Sequence, residues 1–278
     1  MKTALLSLFL LSSLPFTQKI SDGDAKKNEV KKASAGHVIR FAQNKVIAHR
    51  GAWKTKNLPE NSIASLREAV RLGCYGSEFD VHMTSDSVIV VNHDPEFKGL
   101  KIETSTYKEL LEKKHDNGES IPTLEAYIKE GKTQKTTRLI LELKASVIDS
   151  QRTIALTGRA VKMVHDLKAE KWIEYISFDD NALRKVKELD PKAKVQSLLG
   201  KLSPRELKDA GFSGADYHFS VYRKQPDFMN ASHKLGLVIN AWTVNSEVDI
   251  TDMLKAGADY ITTNEPERVF SILAKKQE

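Results

Sequence analysis

Nine short apolar runs mark the chain beyond residue 45, and most are separated by stretches whose apolar residues recur at helical spacing. That alternation limits the fold more than any other feature. The runs are Val46–Ala48, Tyr75–Met83, Val88–Asn92, Arg138–Leu143, Tyr175–Phe178, Val195–Leu199, Tyr217–Tyr222, Leu237–Val244 and Tyr260–Thr263, each of strand length. Helices are expected at Asn61–Leu72, Thr123–Lys129, Ser150–Leu167, Asn181–Leu189, Ser203–Ala210, Pro226–Leu235, Ser246–Ala256 and Pro266–Lys275. In the first, Ile63, Leu66, Ala69 and Val70 fall on one face. Gly211, Gly236 and Gly257 stand where three of these helices should be capped.

Strands alternating with helices imply a mostly parallel sheet. One pair breaks the rule. Only a few residues join Tyr75–Met83 to Val88–Asn92, and parallel neighbours need a crossover of a dozen or more. The pair must be an antiparallel hairpin about Ser85-Asp86-Ser87, so residues whose numbers sum to about 172 lie opposite each other. Eight parallel strands remain. The fold class is α/β, a TIM-type (β/α)8 barrel with an extra antiparallel hairpin strand and a short insertion near residues 94–122, carrying one helix around Tyr107–Lys114. An open doubly wound sheet is the alternative, but no Gly-x-Gly-x-x-Gly turn follows the first strand.

In a barrel, chemistry gathers at the strand C-terminal ends. Here those ends carry His49-Arg50, Glu78 and Asp80, Glu142 and Lys144, Ser177-Phe178, Trp242-Thr243 and Thr262-Thr263. Glu78 and Asp80 are two apart, so both point to one face of their strand, and the hairpin brings His93 beside them. Three carboxylates so close repel one another unless a cation sits among them, and hard oxygen donors favour Mg2+ or Ca2+. Arg50 offers a fork for two oxygens of an anion, and Lys144 a point charge on the same strand face as Glu142. Trp242 suits core packing and a binding-site wall equally. Glu60 either supports this carboxylate shell or stabilises the start of its helix, and the second reading is preferred. His82, His115, His165, His218 and His233 read as structural, surface or core residues.

The ordered series His49-Arg50-Gly51, Pro59-Glu60-Asn61-Ser62, Glu78-x-Asp80 and His93-Asp94 resembles the glycerophosphodiester phosphodiesterase family. The likeness continues through Leu141-Glu142-Leu143-Lys144, Ser177-Phe178, Ala241-Trp242-Thr243-Val244-Asn245 and Ile261-Thr262-Thr263, over roughly residues 44 to 275. The resemblance implies a barrel enzyme that cleaves a glycerophosphodiester to glycerol 3-phosphate and an alcohol. It assigns Glu78, Asp80 and Glu142 to one divalent cation, His49 and His93 to general acid–base catalysis, and Trp242 to the glycerol-facing wall. Imidazoles titrating near neutrality suit both proton transfers. A lyase-like phospholipase giving a cyclic phosphate, or a silent binding protein, are the other activities such a scaffold supports. Two positions depart from the family pattern. Its usual Asp after Ile-Thr in the last strand is replaced by a second threonine, Thr263, followed by Asn264, and Ser87 stands for the usual hairpin glycine.

The rest of the chain narrows location and partners. Met1-Lys2 and the apolar run Ala4–Phe16 read as a secretory signal peptide within residues 1–20, too short for a transmembrane helix, followed by a polar linker over 21–40 and the barrel domain over 41–278. The expected location is therefore outside the cytoplasm, periplasmic or secreted. The net charge of +6 falls to +3 when the lysine-rich first 35 residues are set aside, and no basic patch is interleaved with aromatics, which argues against nucleic acid. No cysteine lies near the leader to carry a lipid, so no stable membrane anchor is expected. The single cysteine, Cys74, excludes an intrachain disulfide and reads as a small buried apolar residue. The expected partner is a small-molecule glycerophosphodiester.

Overall fold

Alternation along each strand sorts side chains into two sets, and a computed structural model, which describes residues 39–275, shows the two sets packed apart. The elements in chain order are β1 (Val46–Ala48), α1 (Ile63–Leu72), β2 (Gly76–Met83), β3 (Ile89–Val91), β4 (Glu96–Phe97), β5 (Leu100–Lys101), α2 (Tyr107–Leu110), α3 (Leu124–Gly131) and β6 (Arg138–Leu143). There follow α4 (Ser150–Asp166), β7 (Ile173–Ser177), α5 (Asp180–Leu189), β8 (Val195–Ser197), α6 (Pro204–Asp209), β9 (Gly214–His218), α7 (Phe219–Lys224), α8 (Phe228–Lys234), β10 (Val238–Trp242), α9 (Glu247–Ala256), β11 (Tyr260–Thr263) and α10 (Pro266–Lys275). The proposed signal peptide, and the linker up to residue 38, lie outside the described residues. Among the described residues no helix is long and apolar enough to cross a membrane.

Eight strands pair in parallel in the order β1-β11-β10-β9-β8-β7-β6-β2, and β1 pairs β2 to close the barrel. The extra strand is β3, antiparallel to β2, with Val81 opposite Val91, His82 opposite Val90 and Met83 opposite Ile89. This is the register expected from the hairpin. Ser87 takes φ +67 in the turn, a left-handed conformation that a glycine would adopt without strain.

Val46 and Ala48 of β1 pack outward into the shell beneath the helices, together with Phe79, Leu139, Leu141 and Tyr217. Ile47, Ile140, Ile176 and Leu198 form a separate inner cluster with Trp242. The inner positions are adjacent across the register: Glu78 beside Ile140, Asp80 beside Glu142, Ile176 beside Gln196, Asp216 beside Asn240. Glu78, Asp80, Glu142 and Asp216 therefore stand on the inner face, each one step along its strand from an apolar residue packed outside. At the opposite end of the barrel, Tyr75 Oη donates to Glu174 (3.0 Å) and Arg138 and Lys194 pair with the same carboxylate, each at 3.2 Å. The stacked rings of Tyr75 and Tyr260 complete that closure.

Two expectations need correction. The strand expected at Tyr217–Tyr222 stops at His218, and Phe219–Lys224 is helical. The run Tyr-His-Phe-Ser-Val-Tyr has strand composition, but the His218 ring accepts from Ser220 N–H and so caps a helix. The insertion is also more ordered than one helix. It holds the β4–β5 ladder and a 3-10 turn at Ile102–Thr104 ahead of α2, over its own core of Val90, Phe97, Ile102, Leu110 and Ile121.

Gly214 marks the tightest strand approach. A Cβ there would lie 2.0 Å from the carbonyl oxygen of Val238. Gly214→Ala forces β9 from β10, so thermal unfolding should show a loss of about 1–3 kcal/mol or more. An unchanged melting temperature would contradict this packing.

Candidate active site

The turn after β1 is the first part of the site. Arg50 has φ 55 and Gly51 φ 81. A Cβ on Gly51 would lie 2.4 Å from Ser65 Oγ, so α1 can approach the turn only because residue 51 is glycine. Ser65 Oγ in turn donates to the Arg50 carbonyl at 3.1 Å. The Pro59-Glu60-Asn61-Ser62 motif distributes three tasks. Glu60 accepts from the Arg50 guanidinium at 2.6 Å. Asn61, itself at φ 56, donates to Asp80 Oδ2 (2.8 Å) and accepts from Asp80 N–H (3.0 Å). Ser62 caps α1 by accepting from Ser65 N–H. Glu60 is thus a partner of Arg50, two residues ahead of the cap, and not a helix-start acid.

Glu78, Asp80 and Glu142 converge, each with an oxygen within 4.8 Å of the others, and all three are buried. Glu78 Oε2 accepts from Arg50 N–H at 2.7 Å, while Oε1 has no hydrogen-bond partner among the described residues. Lys144 Nζ lies 2.9 Å from Glu142 and 3.2 Å from Asp80. Burial, then the neighbouring acids Asp80 and Glu142, hold the Glu78 carboxyl well above its ordinary range. Burial and Asp80 likewise push Glu142 up to about 8. Burial also works against ionised Asp80, but Lys144, His93 and Asn61 outweigh it and hold its carboxyl below the usual value. One anion is stably held and two are not, so the cluster lacks positive charge. A buried all-oxygen set with an unpartnered carboxylate oxygen fits a hard divalent cation such as Mg2+ or Ca2+.

The two histidines sit in different surroundings. His49 Nδ1 lies 2.7 Å from Asn264 Oδ1, an arrangement that puts the proton on Nδ1 and leaves Nε2 a bare acceptor. Burial, then the adjacent Arg50 charge, lowers its pKa to about 4 against the pull of Asn264 and Asp80. His93 is closer to solvent, with Nδ1 2.7 Å from Asp94 Oδ1. His82 is buried and holds the His93 carbonyl at 3.0 Å, a structural role as expected.

Two cavities meet at these groups. The inner one, about 140 Å³, is lined by His49, Arg50, Lys144 and His93 on one side and by Ile176, Phe178, Leu198 and Trp242 on the other. The outer one, about 500 Å³, runs from Arg50 and His93 along the insertion to His115. Trp242 donates Nε1–H to the Asp216 carbonyl (2.8 Å) and meets Phe178 and His218 edge to face. His218 ends β9 against the tryptophan. Of the site residues expected from sequence, His49, His93, Glu78, Asp80, Glu142, Arg50, Lys144 and Trp242 all converge here. Asn61, Asn264 and Asp216 were missed as members of the site. Asn61 and Asn264 had one signal each, a place in the matched motif and a departure from it. Asp216 had none beyond an acid at an inner strand position.

Residues 49–268 match the glycerophosphoryl diester phosphodiesterase family model. A glycerophosphodiester phosphodiesterase from Caldanaerobacter subterraneus subsp. tengcongensis is 30% identical over 83% of this chain and 98% of that one. A crystal structure of a glycerophosphodiester phosphodiesterase from Parabacteroides distasonis superposes with a TM-score of 0.82 at 43% identity, covering 86% of this chain and all of the other. An Oleispira antarctica phosphodiesterase, solved in complex with its product sn-glycerol-3-phosphate, shares the fold at 24% identity and a TM-score of 0.71 over 84% of this chain and 97% of that one.

The Asn264 contact has a spectroscopic consequence. With 15N-labelled histidine, His49 should be neutral at pH 5.5 and protonated on Nδ1, because its pKa of about 4 lies below that pH. Asn264→Ala should abolish the fixed tautomer. A wild-type His49 that titrates near the ordinary value of 6.5 would contradict the geometry.

Proposed function

The chain belongs to the glycerophosphoryl diester phosphodiesterase family, and from that premise we propose a cation-dependent hydrolysis of glycerophosphodiesters to glycerol 3-phosphate and an alcohol, with His49 as base and His93 as acid. One observation carries the reading: a neutral imidazole with a free Nε2 and a second, solvent-facing imidazole flank one carboxylate cluster and line one cavity. A silent binding protein would have no need for both.

Arg50 and Lys144 receive the phosphodiester. Burial opposes both charges, but Glu60 and Asp80 keep Arg50 protonated and Asp80 and Glu142 keep Lys144 so. The guanidinium is itself aimed by Glu60, which limits the orientations it can offer. Glu78, Asp80 and Glu142 would hold the cation, which supplies charge neutralisation at the phosphoryl oxygens. His49 Nε2 takes the proton of the attacking group as its oxygen bonds to phosphorus, while Asn264 keeps the ring turned toward the cavity; the attacker is water, or the neighbouring glycerol hydroxyl followed by water that opens the cyclic phosphate. The bond from phosphorus to the departing alcohol breaks on the side of the outer cavity, where His93 returns a proton to the alkoxide. Position supports that assignment: His93 lines both cavities and His49 only the inner one.

Chelator should abolish turnover, and Mg2+ or Ca2+ should restore it. His49→Ala and His93→Ala should each lose on the order of 10²–10⁴ in rate on alkyl diesters. An aryl diester, whose leaving group needs little protonation, should rescue His93→Ala and leave His49→Ala slow. Full activity of a metal-stripped sample, or rescue of the other variant, refutes the corresponding part. Export is the second part of the proposal, resting on the apolar run Ala4–Phe16. Amino-terminal sequencing of protein from its own cells should begin beyond Phe16, and an intact Met1 would overturn it.

A further inference from the structure

The hydrolytic groups leave the floor of the inner cavity unused, and that floor is polar. Asp216 of β9 lines the cavity with its side chain almost wholly buried. Its Oδ1 has no hydrogen-bond partner among the described residues, and the same holds for Gln196 Oε1 on β8 and Asn240 Oδ1 on β10. Asn240 gives one amide N–H to Thr262 Oγ1 at 2.8 Å, and its second N–H remains on the side of Asp216. These side chains stand on the inner face of three successive strands, Asp216 level with Asn240. Of the three, Asp216 alone lines the cavity, and a buried polar oxygen left without a partner costs about 1–3 kcal/mol. Such a group calls for a ligand that brings a hydroxyl.

The charge of Asp216 is consistent with such a ligand. Burial drives its carboxyl well above the ordinary range, with Asn240 opposing and Glu142 adding to the shift. A neutral carboxyl both donates and accepts, and it places no anion beneath a phosphodiester. The cavity wall above it is apolar at Ile176, Leu198 and Trp242, and its rim carries Arg50 and Lys144. From rim to floor the order is cation, carbon surface, hydroxyl partner. A small phosphate ester of a polyol has the same order of groups.

We propose that Asp216 is a specificity residue whose side chain hydrogen-bonds a hydroxyl of the glycerol moiety held in the inner cavity. The proposal rests on the phosphodiesterase reading and deepens it. The glycerol half is then selected by its hydroxyls, and a simple alkyl phosphate lacks what the floor requires.

The test compares ligands within each protein, so loss of fold cannot imitate the result. Calorimetry with the full chain and saturating Mg2+ or Ca2+ would measure glycerol 3-phosphate, 3-hydroxypropyl phosphate and 2-hydroxypropyl phosphate, the last two each lacking one hydroxyl. Wild type should bind glycerol 3-phosphate about 10-fold to 100-fold more tightly than at least one analogue. Asp216→Ala should bind that analogue and glycerol 3-phosphate almost equally, and Asp216→Asn, which keeps both a donor and an acceptor, should retain much of the preference. The inference falls if wild type does not discriminate, or if the ratio survives in Asp216→Ala. A parallel turnover assay of wild type separates the two ideas. No hydrolysis of any glycerophosphodiester would overturn the activity on which the inference rests, whereas hydrolysis with an unaltered ratio would overturn the inference alone.

Discussion

Asp80 is the charge on which the site depends. It is buried at an inner strand position, where an isolated carboxylate would take up a proton. Asn61 grips it through both amide groups, Lys144 stands at 3.2 Å, and Arg50 lies 3.9 Å away. Each of those partners comes from a different element, and each is tied to another part of the site. Arg50 belongs to the turn after β1 and is aimed by Glu60, while Lys144 also meets Glu142. Keeping one anion ionised thus aligns the loop before α1, the end of β1 and the end of β6. The two remaining acids then face it at a distance where both cannot stay charged without added positive charge.

That arrangement explains which parts of the fold and site were legible in the sequence. The inner face announces itself through period-two spacing, which pairs Glu78 with Asp80 and Glu142 with Lys144, and the barrel's strand ends and the family pattern bring the two pairs together. The hairpin register followed from loop length alone, and the pairing of Val81 with Val91 matches it. Helix ends were close because caps are local, as at Ser246 and Gly257. Residues 217–222 were misread because composition favoured a strand while a local bond from Ser220 to the His218 ring favoured a helix.

What stayed hidden depends on contacts between distant segments. Nothing near Glu60 in sequence reveals that it reaches Arg50, and the helix-start reading was the local one. Asn264 stood out as a departure from the family pattern, yet its bond to His49 spans 215 positions. Asp216 is surrounded in sequence by ordinary strand residues, and what sets it apart is a buried carboxyl oxygen left without a partner beside the inner cavity. Local rules report caps, turns and faces. They do not report which buried oxygen is left without a donor.

The insertion after β3 has an apolar cluster of its own, Phe97, Ile102, Leu110 and Ile121 gathered on Val90. Its residues Glu96, Phe97, Lys98 and His115 line the outer cavity and none of the inner one. The insertion is tied to the barrel through Glu103, which meets Arg152 and Ser146, and through Glu119 at the start of α1, and none of its residues belongs to the carboxylate cluster. Away from those anchors such a segment can change the lining of the outer cavity while the inner one keeps its groups, so the two cavities can diverge at different rates.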